Sequence, residues 1–169
     1  MKTAALLVTL AALVFTGCGS DGDSKQNDFD TIEEASSRSA EASDQAELAI
    51  EALAEADTEA AASHIDEARK LANEGQEILD EVKSEPTRRV FTQINLLTIE
   101  GYDVLRQGID AAARGDDRAT DRYIRKSFDV RDRKLELFNR TDFEAIGAGE
   151  SNEKIREALR RQLESTVSQ

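Results

Sequence analysis

The stretch ALAEADTEAAASHI, residues 52–65, recurs 59 positions later as AAARGDDRATDRYI, residues 111–124. The alignment pairs Asp57 with Asp116, and it also pairs apolar positions on either side of them. Asp is a favoured N-cap residue, and the apolar positions after each Asp are three and four residues apart, as in an amphipathic helix. Each copy therefore predicts a helix, a short turn and a second helix. Chance similarity between two alanine-rich helices is the alternative; a duplicated hairpin is favoured because turn and core positions both align.

The same helical period extends outward from these joints to both ends of residues 28–140. Thr31 and Glu34 have the spacing of a capping box and predict the start of the first helix. Ser84 and Pro86 have the cap residue and early proline that are typical of another helix start. There are no β-branched runs or two-residue hairpin signals, so strands are not expected. Two hairpins joined near Pro86 predict an all-α, up-down-up-down four-helix bundle.

A short C-terminal helix is expected to follow a loop in residues 141–169. Ser151 is a candidate N-cap after two glycines. Ile155, Leu159 and Leu163 are four residues apart and so lie on one helical face. This stripe is a candidate protein-interaction surface.

The two joints resemble the helix-turn-helix joints of tetratricopeptide-like repeats. The resemblance covers about twenty residues in each copy. The repeat of 59 residues exceeds the roughly 34 residues of that family, and the chain has no tryptophan. The resemblance therefore implies a helical hairpin and carries no binding function.

The N-terminus has the three parts of a secretory signal peptide. Lys2 supplies a positive charge, residues 4–15 are almost entirely apolar, and small residues precede Cys18. The apolar run is shorter than the roughly 20 residues that span a bilayer. Residues 1–17 are therefore expected to be a signal peptide, cleaved after Gly17.

The segment Phe15-Thr16-Gly17-Cys18 resembles the lipobox of prokaryotic lipoproteins, although Leu is usual where Phe15 stands. The resemblance implies a diacylglyceryl group on the Cys18 thiol, with fatty acyl chains such as palmitate as the membrane anchor. A free cysteine after a signal peptide is the alternative. Cys18 is the single cysteine of the chain, so no intramolecular disulfide competes for it. Residues 18–27 are then a lipidated cysteine and a flexible linker, because they are rich in Gly, Ser and Asp.

This address places the protein in the cell envelope, lipid-anchored on the extracytoplasmic side of a membrane. Gly19, and not Asp, follows the cysteine. By the resemblance to enterobacterial lipoproteins, this implies the inner face of an outer membrane, if the organism has one.

The charge distribution excludes some partners and suggests another. The net charge of -13 disfavours nucleic acid and electrostatic adhesion to anionic lipid. Residues 28–55 carry nine acidic side chains and one basic one, whereas the fourth helix is rich in Arg. In a closed bundle the first and last helices are neighbours, so the basic helix would complement the acidic one. The sharper alternative is that Arg122, Arg125 and Lys126 belong to a docking face for an acidic protein partner.

Catalytic and cofactor motifs are not found in the sequence. His64 is the single histidine, which is too few for a ferritin-like di-iron site. There is no haem-attachment motif, no glycine-rich phosphate loop and no G-x-S-x-G elbow. No cofactor or metal is therefore expected. A Ser-His-Asp site around His64 is conceivable, but a residue at the edge of the bundle is the preferred interpretation.

We therefore expect a non-enzymatic, membrane-tethered helical module that binds another protein or acts as an envelope scaffold. The alternative is a bundle that binds or senses a small ligand in an internal pocket. Gly75, Gly101 and Gly108 fall near core positions, where they leave a cavity or permit close helix approach. An enzyme is the third and least favoured hypothesis.

Replacing Cys18 with Ala is expected to abolish incorporation of a fatty-acid label and to release the protein from the membrane fraction. The acyl chains supply the binding free energy, about 0.8 kcal/mol for each buried CH₂. Metabolic labelling with an alkyne fatty acid measures this, with Ser20→Ala as the control. A Cys18→Ala variant that keeps the label would contradict lipidation at this residue.

Overall fold

The computed structural model describes residues 23–142, and this part of the chain contains four helices and no strand. The all-α prediction is confirmed for these residues. The helices are α1 (Asp23–Ala54), α2 (Thr58–Leu79), α3 (Glu85–Ala113) and α4 (Asp117–Arg140). The predicted C-terminal helix lies outside the described residues. None of the four helices is long and apolar enough to cross a membrane.

The α1–α2 and α3–α4 joints have the same backbone geometry, 59 residues apart. The N–H of Asp57 donates to the Ala52 carbonyl at 2.9 Å, and the N–H of Asp116 donates to the Ala111 carbonyl at 3.0 Å. One residue earlier, Ala56 and Gly115 have left-handed φ angles of 63° and 69°. Their N–H groups donate to carbonyls three residues back, which completes a Schellman motif in each joint.

Each joint also starts the next helix. The Asp57 carboxylate accepts a hydrogen bond from the N–H of Ala60 at 3.0 Å, and the Asp116 carboxylate accepts one from Ala119 at 2.9 Å. Both predicted N-caps are confirmed. One Asp therefore both ends a helix and starts the next. An N-cap of this kind contributes about 1 kcal/mol to stability.

The predicted start of the first helix is wrong. Helix α1 begins at Asp23, so Thr31 lies inside it and is not its N-cap. The backbone of residues 23–27, which we expected in the linker, is helical. The Asp28 carboxylate accepts hydrogen bonds from the N–H groups of Lys83 and Ser84, both at 2.8 Å. This contact ties α1 to the connection before α3, where Ser84 is the N-cap and proline follows in the first turn, as predicted.

The core combines many alanines on α1 and α2 with larger side chains on all three of the first helices. Ala42, Ala46 and Ala49 of α1 are almost fully buried and belong to one cluster with Ile65 of α2 and Tyr102 of α3. A second cluster near the other end of the hairpin contains Ile32, Ala35, Leu79 and Val82. Alanines on the facing surfaces allow the two helices to approach closely, so the weak apolar pattern of α1 still makes a core.

Helix contacts lie mainly between sequence neighbours. Helix α2 packs on α1 and α3, and α4 packs on α3, whereas α1 touches α3 at only a few positions. Helices α1 and α4 share no packed interface in the described part of the chain. The expectation that the first and last helices are neighbours is therefore not met. The acidic α1 does not cover the basic α4.

Gly115→Ala should lower the free energy of unfolding by about 1 kcal/mol, because a side chain in the left-handed region is strained. Ala56→Gly should raise it, because that residue already has this strain. Urea denaturation of the two variants measures both effects. Ala113→Gly, in ordinary helical conformation, is the control and should be destabilising. Equal effects of Ala56→Gly and Ala113→Gly would contradict the joint geometry.

Candidate functional site

Helix α4 has the densest positive charge among the described residues. It carries eight basic and five acidic side chains. Arg133 pairs with Glu100 of α3 at 2.8 Å, and Arg140 pairs with Glu136 one turn away at 3.0 Å. These pairs are exposed, so each contributes only about 0–1 kcal/mol. Arg131 pairs with its neighbour Asp132 at 2.8 Å, and among the described residues the other three arginines of α4 form no ion pair.

The three predicted interaction residues on α4 are all exposed. Arg122 lies over the ring of Tyr123, 5.7 Å from its centroid. Among the described residues, Arg122, Arg125 and Lys126 form no ion pair. Arg122 and Lys126 are one turn apart and share a face, whereas Arg125 lies further round the helix with Phe128. The predicted patch therefore spans two adjoining sides of α4.

Lys134 is the functional candidate that sequence reasoning missed. It is mostly buried between α3 and α4, where its Nζ donates to the Thr98 hydroxyl at 2.6 Å. Burial lowers the pKa of its amine from the usual 10.5 to about 8. Thr98 in turn donates to the Ile94 carbonyl at 3.1 Å. The signal was present in the repeat, because Lys134 aligns with Gly75.

The two hairpins differ at this aligned position. A Cβ on Gly75 would lie 3.4 Å from the Ala35 carbonyl oxygen and 3.5 Å from the Cβ of Arg38. Helix α2 therefore approaches α1 closely there. In the second hairpin the Lys134 side chain fills the equivalent space.

The other two core glycines also face a neighbouring helix. A Cβ on Gly108 would meet the Cβ of Tyr123 at 3.4 Å, and one on Gly101 would meet Val130 at 3.8 Å. The space above these glycines, and above Gly75, is occupied by protein atoms. Close helix approach explains all three, and no cavity is found at these positions.

A second polar contact joins α1 to α3. Tyr102 is buried and hydrogen bonded to the side chain of Ser43, which is buried as well. Burial raises the pKa of the Tyr102 phenol to about 12, although the bond to Ser43 opposes that shift. Ser43 and Tyr102 are 59 residues apart and so occupy equivalent positions in the repeat. They hold α1 against α3 where few other contacts do.

His64 lies at the interface between α1 and α2, where it contacts a polar side chain. Its Nδ1 lies 2.9 Å from Oε1 of Gln45, across the α1–α2 interface. No His, Cys, Asp and Glu side chains within residues 23–142 form a group of three able to hold a metal ion. The geometry gives His64 a role in helix pairing, and within residues 23–142 no serine or carboxylate is hydrogen bonded to it.

The remaining predicted site residues lie outside the described residues. These are the cleavage and lipidation positions Gly17 and Cys18, and the apolar stripe of Ile155, Leu159 and Leu163.

Comparison with protein-family models, curated proteins and solved structures found no match to this chain.

Lys134→Met should raise the stability of the protein at pH 7, because it replaces a buried charged side chain with an apolar side chain of similar size. Above about pH 8 the folded protein loses this proton, whereas the unfolded chain keeps it to about pH 10.5. The stability of the wild type therefore rises with pH in this window, by at most about 1.4 kcal/mol per pH unit.

The stability difference between Lys134→Met and the wild type should consequently shrink between about pH 8 and pH 9.5. Urea denaturation across this range measures the stability difference. The range lies below the pH at which titration of the Tyr102 phenol would also change the stability. Lys126→Met, at an exposed position of the same helix, is the control and should show no such trend. A constant difference for Lys134→Met would contradict the lowered pKa.

Proposed function

We propose that this chain is a lipid-anchored, extracytoplasmic helical module that binds another protein or acts as a scaffold in the cell envelope, without enzymatic activity. The proposed tether is the lipid on Cys18. The proposed docking face is the exposed cationic surface of α4, centred on Arg122 and Lys126. The partner is a protein that presents carboxylates.

We further infer that the domain is a duplicated helical hairpin with up-down-up-down topology. The matched joints at Asp57 and Asp116 support this inference. So do antiparallel contacts, in which Gly101 faces Val130 while Gly108 faces Tyr123. A duplicated hairpin explains why the α1–α2 pair and the α3–α4 pair have the same turn although their helices differ in sequence.

The observation that carries the proposal is the exposure of arginine and lysine side chains on α4 with no described helix opposite them. The chain as a whole has a net charge of -13, so an exposed cationic helix is unusual for it. Neutralisation by α1 was the internal explanation, and α1 does not pack on α4. Complementary charge on a partner speeds association and selects the orientation of binding.

Crosslinking of intact cells followed by mass spectrometry tests the proposal. Wild-type protein should yield crosslinks from α4 to peptides of a different protein, and the Arg122→Glu/Lys126→Glu variant should lose them. Lys83→Glu/Arg89→Glu is the matched control, because both residues are exposed and the charge change is the same. No partner above background, or equal yields from the α4 variant and the wild type, would contradict the docking face.

A further inference from the structure

Helix α4 has a second surface that no described helix covers, on the side away from Arg122. We call it the α4 edge. Four of its five members recur every three or four residues on one face of the helix, and Arg125 lies at the border of that face. Arg125 is exposed, and the other four side chains of this edge are partly buried. The Arg131 guanidinium lies 5.1 Å from the centroid of the Phe128 ring. The α4 edge consists of Ile124, Arg125, Phe128, Arg131 and Leu135.

The repeat shows what this surface does in the first hairpin. The equivalent residues of α2, 59 positions earlier, pack on α3. Asp66 pairs with Arg106 at 3.0 Å, and Arg69 pairs with Asp103 at 2.6 Å. The Ala72 carbonyl accepts a hydrogen bond from the Asn95 side chain at 2.9 Å. The α4 edge is therefore the counterpart of a surface that, in this fold, binds the next helix.

The opposite end of the molecule has the complementary free surface. The α3 residues that bind α2 have counterparts on α1, which we call the α1 edge: Glu33, Ser36, Asp44 and Glu47. The three carboxylates are exposed, and Ser36 is partly buried. Helix α1 uses another side, with Ala42, Ala46 and Ala49, for its contact with α2.

We infer that the α4 edge of one copy docks on the α1 edge of a second copy, as α2 docks on α3 within one chain. In this arrangement Arg125 lies opposite Glu47. These two positions are equivalent to Asp66 and Arg106 in the repeat, so the ion pair is retained but the acid and the base change places. Phe128 and Arg131 lie near Asp44 and Ser36. The contact does not require the envelope partner proposed above.

Charge favours a second copy as the occupant. Helix α1 carries nine acidic and two basic side chains, whereas α4 carries eight basic and five acidic ones. Two unlike edges make a heterologous contact, so a pair of bound copies keeps one α1 edge and one α4 edge free. The predicted assembly is therefore an open chain of copies whose contacts weaken in salt.

Disulfide trapping tests the contact in the full-length chain, purified in detergent with Cys18 replaced by Ser. One preparation carries Glu47→Cys and the other carries Arg125→Cys. The mixture should form a disulfide dimer under mild oxidation, at several times the yield of either preparation alone, and high salt should reduce it. Glu34→Cys mixed with Arg125→Cys is the control, because Glu34 is exposed on another face of α1.

Charge exchange provides an independent readout in sedimentation velocity. Glu47→Arg should weaken self-association at least about tenfold, because it places like charges opposite each other. Adding Arg125→Glu to that variant should restore it. Lys126→Glu should leave association unchanged, because Lys126 is outside the α4 edge.

Three results would overturn the inference. The first is equal disulfide yields for the Glu34 and Glu47 variants, and the second is a wild-type chain that stays monomeric at all concentrations tested. The third is efficient disulfide formation within one chain between Arg125→Cys and Leu159→Cys. That result would show that the C-terminal segment, and not a second copy, covers the α4 edge.

Discussion

The fold depends on a turn in which one aspartate ends a helix and starts the next. The N–H of Asp57 closes the last turn of α1, while its carboxylate caps the first turn of α2. Asp116 does the same for α3 and α4. Both functions satisfy backbone groups that helix ends otherwise leave unpaired. The double use keeps each connection short, so each pair of helices must pack side by side.

The two hairpins share this turn but differ in what lies between their helices. The first is closed by alanines and by Gly75, whereas the second accommodates the buried amine of Lys134. A buried charge costs stability unless it is paired, and Lys134 has only a hydroxyl partner. The second hairpin thus contains a buried amine at the position where the first has a glycine. It also presents the cationic surface on which the proposed function depends.

The sequence predicted the parts of this structure that depend on local chemistry. The caps at Asp57 and Asp116 were identified because capping requires particular side chains at particular spacings, and the start of α3 because proline favours the first helical turn. The start of α1 was missed because its first residues lack an apolar period, and the helix is held by a distant contact from Asp28. The separation of α1 from α4 was missed because periodicity shows which face is apolar and not which helix covers it. Lys134 was missed because a lysine in a charged helix is ordinarily exposed, and the sign of its burial lies in its alignment with Gly75 of the first hairpin.

Helix α4 packs on α3 and not on α1, and both the cationic surface and the α4 edge depend on this arrangement. Nuclear Overhauser contacts between side chains of the isotope-labelled protein measure it, in high salt to screen contacts between copies. We expect contacts from Val130 to Gly101 and from Tyr123 to Gly108, and none from α4 to the buried alanines of α1. Contacts between Val130 and Ala46 within one chain would show a closed bundle, in which α4 packs on α1.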